Sequence, residues 1–111
     1  PEVVALQGLN AFNTHDAEAF LDVFAPDVEV YEHPNTLLTT DRDTLAAQYR
    51  PMLRQATDLH ATFEYHTTVG SRVVAHERLR GLPDRRTPLN QVVLYRVTDG
   101  AIDRVWLVQD S

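Results

Sequence analysis

The feature that most limits the fold is the second half of the chain. Residues 59 to 69, 73 to 82, 89 to 97 and 102 to 109 read as four strands, divided by Gly70-Ser71, Pro83-Asp84 and Asp99-Gly100. Strands this close in sequence pair as an antiparallel meander, and successive side chains point to opposite faces. One face must be covered, and the cover has to come from the first half.

That half supplies helices. Residues 2 to 13 place Val3, Val4, Leu6, Leu9, Ala11 and Phe12 close to a helical stripe. Asn13-Thr14-His15-Asp16 breaks it, and Asp16 can cap a second short helix with Glu18 in its first turn and Phe20, Leu21, Val23 and Phe24 as its apolar face. Pro26 is expected to end that helix. Val28, Val30 and Glu32 then alternate with Glu29, Tyr31 and His33, as in a strand. After Pro34-Asn35, Thr40 or Asp41 can cap a third helix through Leu45, Ala46, Tyr49, Met52 and Leu53. Pro51 removes a backbone donor there, which predicts a kink or a stop near Tyr49. Helices followed by a meander make an α+β fold, and 111 residues hold a single domain, 1–111.

Strand register follows from turn chemistry. A three-residue loop at Gly70-Ser71-Arg72 sets Val69 opposite Val73 and Glu64 opposite Arg78. Phe63, Tyr65, Ala75, Glu77 and Leu79 then share one face, while Thr62, Glu64, His66, His76, Arg78 and Arg80 share the wetter one. For the last hairpin, a two-residue Asp99-Gly100 turn pairs Thr98 with Ala101, and a three-residue Thr98-Asp99-Gly100 loop pairs Val97 with Ala101. The second is adopted because it turns Val93, Tyr95, Val105, Leu107 and Gln109 inward. Val92, Leu94, Trp106 and Val108 are left outside, a patch too apolar for a monomer, so a homodimer through this face is expected.

Composition removes whole classes of function. Ten arginines, with no lysine, against sixteen Asp and Glu give a net charge of −6, which opposes nucleic-acid binding. Without cysteine there is no disulfide, thiol nucleophile or thiolate metal site. No apolar run is long enough for a membrane span and nothing resembles a signal peptide, so the expected location is the cytoplasm, with no membrane partner.

Three motifs occur in a telling order: the Asn13-Thr14-His15-Asp16 break, Phe24-Ala25-Pro26-Asp27-Val28-Glu29-Val30 entering a strand, and Tyr95-Arg96-Val97-Thr98-Asp99-Gly100-Ala101-Ile102 before a last strand with Trp106. Together they resemble the nuclear transport factor 2-like superfamily, in its SnoaL-like and steroid delta-isomerase-like branch, over essentially the whole chain. The resemblance implies a cone-shaped α+β barrel in which N-terminal helices pack into a strongly bent, mostly antiparallel sheet around an apolar cavity, commonly as a dimer. The superfamily includes isomerases, cyclases, dehydratases, epoxide hydrolases and non-catalytic modules, so fold alone does not fix function.

Carried across one by one, the isomerase residues mostly fail. The resemblance puts its carboxylate base at Glu32 and a supporting tyrosine at Tyr49, but its two oxyanion donors fall on Gly8 and near Val93. The cyclase aspartate falls on Leu107. The epoxide-hydrolase pattern resembles Glu77-Arg78, yet its next carboxylate is Arg80 and its final aspartate is again Leu107.

Two candidate catalytic groups therefore stand side by side. Glu77 is sent inward between Ala75 and Leu79, where desolvation should raise its pKa and suit acid–base work; the plainer reading is a surface ion pair with an arginine. Glu32 and His33 adjoin at a strand end, either as a proton-transfer site or as a solvated loop. His66 and His76 would be cross-strand neighbours, but a third ligand is missing, so no metal is expected. His15 is expected to satisfy helix-end carbonyls. Phe12, Phe20, Phe24, Tyr49, Phe63 and Tyr95 line a pocket or fill a core.

The expected function is proton transfer, without an organic cofactor, on a hydrophobic carbonyl-bearing small molecule by Glu32 or Glu77. Phe12, Phe24, His33, Tyr49, Gln91, Val93, Tyr95, Leu107 and Gln109 would form the substrate site. A non-catalytic ligand-binding or dimerisation module of the same fold is the alternative.

Overall fold

A computed structural model describes residues 1–109. The chain runs α1 (Glu2–Asn13), α2 (Ala17–Asp22), β1 (Phe24–Glu32), β2 (Thr36–Thr39), α3 (Arg42–Gln55), β3 (His60–Val69), β4 (Arg72–Arg80), β5 (Leu89–Thr98) and β6 (Ala101–Gln109). The six strands form one sheet in the order β2-β1-β6-β5-β4-β3. Among the described residues only β1 and β6 run parallel; the remaining neighbours are antiparallel. The helices cover its inner face, giving the α+β cone expected.

Caps act where the sequence put them. Asp16 accepts from the Ala19 amide at 3.1 Å, and Asp41, not Thr40, accepts from the Thr44 amide at 2.7 Å. Neither Pro26 nor Pro51 ends a helix. Helix α2 ends at Asp22, ahead of Pro26, which lies inside β1. It sits in the break between the Phe24–Ile102 and Glu29–Arg104 pairs, where no ladder bond needs its missing N–H. Pro51 does not stop α3, which continues to Gln55. Leu53 is only 1% exposed, and its burial fixes the last turn despite the lost donor. The short strand β2 went unforeseen, because four residues pairing only at an edge leave little periodicity to read.

The β3–β4 hairpin corrects the proposed register. Gly70 (φ 60°) and Ser71 make a two-residue turn with Val69 opposite Arg72. A bulge between Phe63 and Tyr65 then restores parity below it, so Phe63 faces Glu77 and Thr62 faces Arg78. Glu64 is the bulged residue and does not oppose Arg78. Beyond the bulge the faces invert: Tyr65 pairs with His76 and stands exposed, while His66 pairs with Ala75. The two histidines therefore occupy opposite faces.

The β5–β6 hairpin reaches the expected faces by another route. Asp99 and Gly100 (φ 53° and 79°) make the two-residue turn, with Thr98 opposite Ala101. Arg96 then pairs with Arg104 and Val97 with Ile102, leaving Asp103 unmatched. This bulge shifts parity once more. Val93, Tyr95, Val105, Leu107 and Gln109 face the helices, and Val92, Leu94, Trp106 and Val108 face out. Arg96 holds the bulge by donating to both Asp103 carboxylate oxygens, at 2.9 and 2.7 Å.

Candidate functional site

Between the helices and the sheet lies a pocket of about 260 Å³. Helix residues Leu9, Phe12, Phe20, Tyr49 and Met52 form one wall, and Val30, Val93, Tyr95, Val105 and Leu107 of the sheet form the other. The aromatic members pack edge to face or tilted, with Phe20 5.1 Å from Phe24, 5.0 Å from Tyr49 and 5.7 Å from Phe12 between ring centroids. Bulky rings meeting at such angles on a curved sheet leave space between them.

One acid is set into this wall. Glu77 comes inward because its β4 neighbours Ala75 and Leu79 share its face, and it is 8% exposed. Its Oε1 accepts a hydrogen bond from Gln91 Nε2 at 2.6 Å, and its Oε2 accepts a longer one from the Tyr95 hydroxyl at 3.4 Å. Gln91 Oε1 accepts in turn from Gln109 Nε2 at 2.9 Å. These three residues are direct partners across β4, β5 and β6, so register alone aligns them.

Burial pushes the Glu77 carboxyl above the ordinary glutamate range, and the hydrogen bonds from Gln91 and Tyr95 pull it partly back. The Tyr49 phenol is pushed up to about 12 by burial and by the charge of Glu77. Tyr95 is raised for the same reasons, with Tyr49 and its bond to Glu77 contributing. Both phenols therefore remain protonated donors across the physiological range. Among the described residues nothing hydrogen-bonds the Tyr49 hydroxyl, whose shift comes from burial and Glu77 alone, and no side-chain oxygen is sealed away without a partner.

The sequence-nominated residues divide cleanly. Glu77, Phe12, Phe24, Tyr49, Gln91, Val93, Tyr95, Leu107 and Gln109 all line the pocket. Glu32 and His33 do not; both are exposed at the end of β1. Their strand enters the sheet with Val28 and Val30 buried, but the last residues run past the helical cover. Sequence reading missed Gln48, Thr39, Leu38, Leu82 and Leu89, which also line the space. Gln48 lies one residue before Tyr49 in α3, Leu38 and Thr39 sit on the short edge strand β2, Leu82 is in the loop after β4, and Leu89 opens β5 at the end of its predicted strand. Among the described residues no group of three or more potential metal ligands comes together.

The interhelical break is structural. His15 places Nδ1 2.8 Å from the Leu53 carbonyl oxygen, in the last turn of α3, and Nε2 2.8 Å from that of Leu59. It thereby ties the first two helices to the segment that enters β3. Among the described residues no helix is long and apolar enough to cross a membrane.

No curated protein matches this sequence. Solved structures are similar throughout: a SnoaL-like protein of unknown function from Burkholderia thailandensis E264 has a TM-score of 0.80 at 18% identity, covering 99% of this chain and 93% of the other. A loop-truncation variant of IdmH gives 0.80 at 24% identity, with 99% and 92% covered. A protein proposed to be a ketosteroid isomerase, from Kribbella flavida DSM 17836, gives 0.76 at 23% identity, with 98% and 76% covered. At these identities the likeness is one of fold. The SnoaL-like domain family matches residues 5–105, nearly the full length, and the chain belongs to that family.

Proposed function

We propose that this protein is a small-molecule enzyme that moves a proton with Glu77 on a hydrophobic, carbonyl-bearing substrate. The observation that carries this reading is the company Glu77 keeps. A carboxyl buried for structure normally meets an arginine or lysine, whereas this one meets an amide and a phenol. Among the described residues no cation pairs with it, and burial raises its pKa above the ordinary glutamate range, which favours a carboxyl that can both accept and return a proton.

Ionised Glu77 would take a proton from the carbon beside the substrate carbonyl, and neutral Glu77 would return it at a second position. The free Tyr49 hydroxyl would donate to the developing oxyanion. The pocket is less than twice the roughly 150 Å³ cavity that accommodates benzene. Substrates of one or two rings suit it better than a four-ring steroid. The test is deuterium wash-in from D₂O at the α-carbon of one- and two-ring enones, followed by NMR. Exchange above buffer that disappears in Glu77→Gln supports the reading; exchange that survives the substitution overturns it.

A second reading is favoured by two other wall positions. Gly8 and Val93 line the pocket where the isomerase resemblance would place oxyanion donors, and neither can donate from its side chain. A binding module of the same fold would saturate with such ligands without exchanging their protons. In either reading we propose that Val92, Leu94, Trp106 and Val108 pair with a second copy. Val92 and Val108 are 41% and 44% exposed beside Trp106, which stacks on Tyr31 with ring centroids 6.2 Å apart.

A further inference from the structure

We propose that Gln109 is a positioning residue for Glu77: by donating to Gln91 it turns the Gln91 amide so that its NH₂ faces the carboxylate and holds Glu77 as a base. The proposal rests on the reading of Glu77 as the proton-transfer group.

A primary amide has unlike ends, one an acceptor and one a donor. Gln91 lies between two groups, with its oxygen engaged by Gln109 Nε2 at 2.9 Å and its nitrogen donating to Glu77 Oε1 at 2.6 Å. The direction of the first bond therefore dictates the direction of the second. Turned as it is, Gln91 favours the ionised carboxylate, and any proton on Glu77 belongs on Oε2, the oxygen beside Tyr95. If Gln91 turned over, its oxygen would face Glu77 and favour the neutral acid.

Gln91 and Glu77 are 7% and 8% exposed, whereas Gln109 is exposed at the open end of the row. A side chain in contact with solvent thus sets the orientation of a buried amide. Because Gln109 can itself turn, its identity matters: lysine at this position can only donate, glutamate can only accept, and leucine does neither.

The experiment is a carbon-detected NMR titration of the Glu77 carboxyl in wild type, Gln109→Leu, Gln109→Lys and Gln109→Glu, with circular dichroism confirming folded protein. It is run in high salt, which screens the charge introduced at an exposed site but leaves a buried amide's orientation intact. Gln109→Leu should raise the titration midpoint by about one pH unit, the scale of one hydrogen bond to a charged group. Gln109→Glu should raise it further and move the Gln91 amide protons away from Glu77 in nuclear Overhauser contacts; Gln109→Lys should restore both. An unchanged midpoint in folded Gln109→Leu, Gln91 protons still against Glu77 in Gln109→Glu, or no restoration by lysine overturns the proposal. A wild-type midpoint in the ordinary glutamate range instead counts against proton transfer, and the differences among variants still judge Gln109.

Discussion

The side-chain amide of Asn13 is paired in both directions with the backbone of Ala61: Asn13 Nδ2 donates to the Ala61 carbonyl at 2.8 Å, and Asn13 Oδ1 accepts from the Ala61 amide at 2.7 Å. Strand β3 is the sheet edge, so its outward backbone groups have no neighbouring strand. Asn13 stands in for one at the point where α1 ends. Asn13→Ala leaves both groups of a buried residue unpaired and should cost about 1 to 3 kcal/mol. Urea unfolding checks this; the midpoint should fall with the slope unchanged. Asn13→Asp should also destabilise, since its carboxylate faces the Ala61 carbonyl oxygen. Wild-type stability in both variants would show that the pairing contributes nothing.

His15 makes a comparable tie from the next turn of chain. Replacing it by alanine removes contacts to the Leu53 and Leu59 carbonyls and places a residue with a Cβ but no long side chain at φ 59°. A loss of about 1 to 3 kcal/mol is expected. Hydrogen exchange should locate it, with protection falling first in the last turn of α3 and the start of β3.

The burial of Glu77 makes stability depend on pH in a definite direction. Its folded-state pKa is raised, so between the unfolded and folded values the native state holds more protons than the unfolded state. Stability therefore declines as pH rises from the ordinary glutamate range through the folded pKa, by at most about 1.4 kcal/mol per pH unit. Glu77→Gln keeps the size and removes the titration. Its stability relative to wild type should grow with pH across that window, measured by thermal unfolding at several pH values. A constant difference would contradict an uncompensated buried acid.

Tyr49 separates binding from folding. Because its hydroxyl has no partner among the described residues, Tyr49→Phe should leave unfolding stability within about 0.5 kcal/mol of wild type. The same change should weaken α-proton exchange, or binding of one-ring enones, by roughly tenfold or more. Equal exchange rates would remove the phenol from any role at the substrate oxygen.

The outer face gives a prediction about assembly. Val92→Asp places a charge directly opposite Val108 and beside the Trp106 patch. Analytical ultracentrifugation should find the wild type dimeric and the variant monomeric, with the fold unchanged. A monomeric wild type would show that this patch is tolerated in water.

What the sequence determined by itself was local. Helix stripes, the Asp16 cap, a cap at Thr40 or Asp41 and five of the strands were legible because side-chain period and capping chemistry act within a few residues. Glu77 was legible as an inward acid because Ala75 and Leu79 flank it on one pleat. Contacts across the sheet were not legible. The bulges near Glu64 and Asp103 each add one unmatched residue and invert every side chain beyond, which decided that Tyr65 faces water and that His66 and His76 stay apart. Pro51 stayed helical because the buried Leu53 holds the turn against the rest of the chain. Only the tertiary structure left Glu32 outside the helical cover and gave Glu77 an amide and a phenol in place of a cation. Burial and partnership depend on which distant segments pack together, and no local pattern carries that information.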